Sequence, residues 1–64
     1  MKTMLEHQKL IIDKLSYNSE LFKKEIIKSA KWLSVSEMLM LFSWLISKYW
    51  NSKKPEIKEV MLTL

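Results

Sequence analysis

The sequence predicts an all-α protein, and three observations carry that expectation. Glycine is absent and Pro55 is the only proline, so tight β-hairpin turns, which need residues at positive φ, lack their usual residue. Two Ser/Thr-x-x-Glu capping boxes, Thr3-Met4-Leu5-Glu6 and Ser34-Val35-Ser36-Glu37, mark helix starts. Apolar residues then recur at spacings of three and four, the period of a helical face. The expected architecture is a small helical hairpin or three-helix chain with a short C-terminal helix, forming one domain of 64 residues. Helices are expected at about residues 4–16, 20–32, 35–50 and 55–63, assembled as a homodimeric helical bundle.

In the first helix Thr3 accepts from the Glu6 N–H and Glu6 reaches back. Met4, Leu5, Ile11, Ile12 and Leu15 form its apolar side, with Gln8 on the same face. Ser16-Tyr17-Asn18-Ser19 are poor helix formers, and Asn18 or Ser19 is placed to cap a second helix with Glu20 in its first turn. No glycine or proline forces this break, so one long helix running to Lys31 is the alternative. The second segment presents Phe22, Ile26, Ala30 and Leu33 to a core and Lys24, Lys28 and Lys31 to solvent. Glu20 and Lys24 are spaced as an i,i+4 ion pair. Ser34 and Glu37, flanked by the Leu33/Met38 hydrophobic staple, predict a sharp turn into the third helix. That helix is expected to end near Trp50, with Asn51 taking a left-handed conformation. Pro55 suits the first turn of a last helix, whose apolar side would be Ile57, Val60, Met61 and Leu64.

The third helix carries the functional argument. Eleven of the sixteen residues from Val35 to Trp50 are apolar or aromatic, on a rod about 24 Å long. A helix apolar nearly all round has to be buried nearly all round, and the remaining residues are too few to surround it. Small chains commonly make up for a thin core with disulfides, metals or oligomerisation. With no cysteine, one His and one Asp, oligomerisation remains. Met38, Leu41, Phe42, Leu45 and Tyr49 are expected on the inner side of the helix and to belong, with the four residues that follow, to the self-association or partner interface. Leu39, Trp44, Ile46 and Trp50 are expected to be partly covered by a second chain. Ser36, Ser43 and Ser47 trace its polar stripe, and Ser43 and Ser47 have the spacing that lets helices approach closely.

The chemistry is otherwise negative. No nucleophile–base pair, metal-ligand spacing or paired carboxylates can be assembled, so neither enzymatic activity nor a cofactor is expected. His7 reads as an exposed structural residue. All eleven basic residues are lysine. Lacking the arginine fork that reads guanine, the chain is expected to bind nucleic acid weakly if at all. Lys23, Lys24, Lys28 and Lys31 form the densest basic cluster and are the candidate contact for an anionic surface. Trp32, Trp44 and Trp50 are read as core residues. The segment from Trp32 to Trp50 has nearly the length of a membrane span, but Glu37, Lys48 and four serines oppose insertion. The opening MKTMLEHQKLII lacks the apolar core of a signal peptide, so a cytoplasmic location is expected. The expected function is a non-enzymatic protein–protein interaction module, a small adaptor, regulator or inhibitor, that self-associates through its third helix and engages a further protein partner. The alternatives are a membrane-surface-active or membrane-inserted Lys/Trp-rich helical protein and a basic helical dimer that binds nucleic acid non-specifically.

Overall fold

A computed structural model describes residues 3–63. Three helices make up the chain: α1 (Met4–Leu15), α2 (Ser19–Ser29) and α3 (Val35–Thr63). Leu64, expected on the apolar side of the last helix, lies outside the described residues. The Thr3 hydroxyl accepts from the Glu6 N–H at 3.2 Å and starts α1. The long-helix alternative fails because Asn18 sits in extended backbone and its side-chain carbonyl accepts from the Leu21 N–H at 3.1 Å. An Asx side chain so used offers the backbone a competitor to the helical ladder. Just before it, the Ser16 N–H and hydroxyl both donate to the Asp13 carbonyl.

At the other end of α2 the N–H groups of Ala30, Lys31 and Trp32 donate to carbonyls three residues back. This tightened winding is how helix ends satisfy orphaned carbonyls, and it stops α2 short of the expected Trp32. Ser34 then makes both halves of its capping box. Its N–H donates to Glu37 Oε1 at 3.0 Å and its hydroxyl accepts from the Glu37 N–H at 3.2 Å. Ser34→Ala is expected to cost about 0.5–2 kcal/mol, the usual loss for a helix cap. A denaturant titration checks this, and an unchanged midpoint would refute the cap's contribution.

The third helix departs most from expectation. Asn51 does not end it, and no described residue has positive φ. The helical pattern runs to Thr63 and breaks only at Lys53, at φ −126° and ψ 25°. Pro55 supplies the cause, because it cannot donate to the Asn51 carbonyl and its ring crowds that turn. An unbroken helix of these 29 residues would measure about 43 Å, whereas the longest dimension of the molecule is 30 Å. The arm after Lys53 therefore doubles back: the Ser19 hydroxyl donates to Glu56 Oε2 at 3.4 Å and Lys23 Nζ to Glu59 Oε2 at 3.0 Å.

The result is an up-down-up-down bundle. Gln8 of α1 meets Glu25 and Ser29 of α2, and Phe22 of α2 packs edge-on against Tyr49 of α3. Leu5, Ile12, Phe22, Ile26, Leu33, Leu41, Leu45, Ile57 and Val60 form the core. Met4 and Met61, expected on apolar sides, are exposed at the rim, and Ala30 is half-buried. One polar pair crosses this core. Gln8 Nε2 donates to the Ser29 hydroxyl at 2.7 Å and to Glu25 Oε2 at 3.0 Å, while that hydroxyl donates to the Glu25 carbonyl. Among the described residues every buried side-chain nitrogen and oxygen has a partner, so burial of this pair leaves no orphaned polar atom.

Candidate functional site

Two faces of α3 behave differently. Leu41 and Leu45 are fully buried within the single chain, and Met38, Phe42, Trp44, Tyr49 and Trp50 pack against the same core. The arms on either side reach further round the helix than its apolar content suggested. Leu41 and Leu45, expected to belong to a self-association surface, have no area left to offer a partner in this fold. What stays open is the outer face: Val35 is 79% exposed, Leu39 65%, Met40 57% and Ile46 40%, with Ser36, Ser43 and Ser47 exposed among them.

Ser36, Leu39, Ser43, Ile46 and Trp50 are spaced three, four, three and four apart, the seam of a two-stranded helical packing. From Met38 to Ser47 the chain has no charged residue. A groove of about 490 Å³ runs along one flank of the seam, lined by Lys9, Leu39, Met40, Ser43, Trp44 and Ser47. A second groove of the same volume opens on the other flank, between Leu39, Val35, Phe42 and the end of α2. Leu39 is thus a ridge between two hollows.

The lower end of α3 is tied to α1 by charge. Lys48 Nζ donates to both oxygens of Asp13, at 2.9 and 3.0 Å, and the Tyr49 hydroxyl donates to the same carboxylate. Lys48 and Lys9 both lie over the Trp44 ring, at 5.3 and 5.7 Å from its centre. Burial, reinforced by the bond to Asp13, pushes the Tyr49 phenol up. The bond to Asp13 raises Lys48, and bonds to Glu59 and then Glu20 raise Lys23. Groups raised in the folded state stabilise it fully below their unfolded values, about 10 for Tyr and 10.4 for Lys. That stabilisation is lost as pH climbs through the higher folded values. The melting temperature is therefore expected to fall above about pH 10, less steeply in Tyr49→Phe, and a fall from this cause complete by pH 9 would contradict the assignment.

The basic cluster is not one surface. Lys23 is drawn into ion pairs with Glu20 at 3.1 Å and Glu59 at 3.0 Å. Glu20 therefore pairs at i,i+3 with Lys23, where the spacing pointed to Lys24. Lys24, Lys28 and Lys31 stay exposed and form no ion pair among the described residues. Trp32 is 58% exposed, not in the core, because it falls in the turn after α2. His7 is exposed and borders a small groove with Met4, Gln8 and Trp32.

Two features escaped the sequence reading. Ser29 lies seven residues after Phe22, on the buried side of α2, so its spacing signalled burial. The Asp13–Lys48–Tyr49 cluster had no local signal. Among the described residues no three His, Asp or Glu side chains gather where they could hold a metal, and no helix is long and apolar enough to cross a membrane. No protein-family model, curated protein or solved structure matches the chain.

Proposed function

We propose that this protein is a non-enzymatic interaction module, a small adaptor, regulator or inhibitor, that self-associates through the outer face of α3. The observation that carries this reading is the seam Ser36, Leu39, Ser43, Ile46 and Trp50, with Met40 beside it. Leu39 and Ile46 supply the apolar knobs, and the two serines let a facing helix come close. A second copy suits the seam because each molecule carries a net charge of +4. Two like-charged chains meet at least electrostatic cost where neither bears a charge, and residues 38–47 are such a stretch. A further protein partner would use the seam by the same apolar contacts, and its binding would be nearly insensitive to salt.

The test separates assembly from folding. Leu39 and Ile46 are exposed in the single chain, so Leu39→Lys combined with Ile46→Lys is expected to keep the helical signal and cooperative melt. Light scattering should show that this variant has half the mass of the unmodified protein. An unchanged mass would place self-association elsewhere and defeat the reading.

A further inference from the structure

We infer that the end of the bundle formed by the α2–α3 turn is a docking surface for an anionic lipid interface. Two independent features converge there. The first is apolar. Trp32 on the turn is 58% exposed and Val35, the first residue of α3, is 79% exposed, and Met4, 43% exposed, shares a groove with Trp32 and Lys28. The groove between Val35, Leu33, Ala30 and Phe42, which flanks the α3 seam at Leu39, opens at the same end. The second is charge. Lys28 and Lys31 stand at the end of α2 beside the turn, and Lys24 lies one turn earlier on the same face, next to Glu20 and Glu59; all three are exposed and without an ion pair among the described residues. Four acids are paired with other lysines, Asp13 with Lys48, Glu20 and Glu59 with Lys23 and Glu56 with Lys53, whereas Glu6, Glu25 and Glu37 form no ion pair among the described residues and Glu25 lies in the groove with Lys28.

A lipid interface answers both features at once. Tryptophan prefers the headgroup level, short apolar side chains reach the acyl boundary, and lysine stems lie along the surface with their ammonium groups on the phosphates. A nucleic acid would stack on Trp32 but has no use for Val35 and Met4. With no helix long and apolar enough to cross among the described residues, the mode is docking on the surface. The α3 seam runs along the side of the bundle, so self-association and this contact do not compete for Trp32 or the lysines.

The experiment is vesicle flotation of the full chain at physiological salt, with phosphatidylglycerol vesicles against pure phosphatidylcholine. Binding is expected only with the anionic lipid. Each lysine near such a surface is worth about 1 kcal/mol, or roughly fivefold in affinity. Lys24→Gln, Lys28→Gln and Lys31→Gln together should therefore weaken binding by about a hundredfold. In a chain carrying Trp44→Phe and Trp50→Phe, Trp32 emission should shift to the blue on binding and be quenched by brominated acyl chains. If that variant fails to fold, comparing the quenching of the full chain with that of Trp32→Phe gives the same readout. Binding indifferent to phosphatidylglycerol content, or bound protein whose Trp32 is not quenched, overturns the proposal. Equal competition by inorganic phosphate or an oligonucleotide overturns it too, by assigning the lysines to another phosphate source.

Discussion

Leu45→Lys is expected to give a chain with no cooperative thermal transition and little helical signal. Leu45 is fully buried inside the single chain, in the core it shares with Leu41 and against which Tyr49 and Trp44 pack. A lysine there buries an ammonium group with no carboxylate assigned to it, a cost of several kcal/mol. A domain of this size holds only about 3–5 kcal/mol in reserve. Its burial within the single chain makes the loss one of folding itself, independent of assembly. A folded monomeric Leu45→Lys protein by circular dichroism and light scattering would refute this account of the core.

Phe22→Ala is expected to be nearly as severe. The ring is fully buried, lies edge-on to Tyr49 at 5.3 Å and carries Lys53 over its face at 5.8 Å from its centre. It thereby joins α2 to α3 and to the break from which the last arm returns. Truncating a buried Phe costs about 3–5 kcal/mol, which matches the whole reserve of a small domain. Phe22→Leu, keeping most of the volume, should remain folded with a lower melting temperature. If Phe22→Ala melts within a few degrees of the unmodified protein, Phe22 is not the joint described.

The parts of this fold legible in the sequence are those specified over three or four residues. The Ser34–Glu37 box, the Asn18 cap and the break before Pro55 are local chemistry, and each stands close to where its residues suggested. Leu41 and Leu45 as inner residues followed from helical period alone. What spacing could not supply was the path of the chain after Lys53. Proline requires a break but not its angle, so the return of Ile57 and Val60 onto the core, and their share in covering α3, was not readable. Pairs that cross between helices, such as Lys23 with Glu59 and Lys48 with Asp13, depend on that path. Trp32 misled for another reason: helical period was extended through residues that the turn takes out of α2. The seam itself was half visible. Its serines stood out in sequence and helical period set Leu39 and Ile46 apart from Leu41 and Leu45, but how far the other arms cover the helix, and so how much of Leu39 and Ile46 stays exposed, depended on the packing.

In the proposed assembly the outer seam of α3 is covered by a second copy of the chain. The direct measurement is the mass of the unmodified protein in solution by light scattering or sedimentation at micromolar concentration, without lipid or detergent. The expected result is twice the 7.7 kDa of one chain, falling to a single chain in the Leu39→Lys, Ile46→Lys variant while both proteins melt cooperatively. A cooperatively folded 7.7 kDa monomer across that concentration range would contradict the claim.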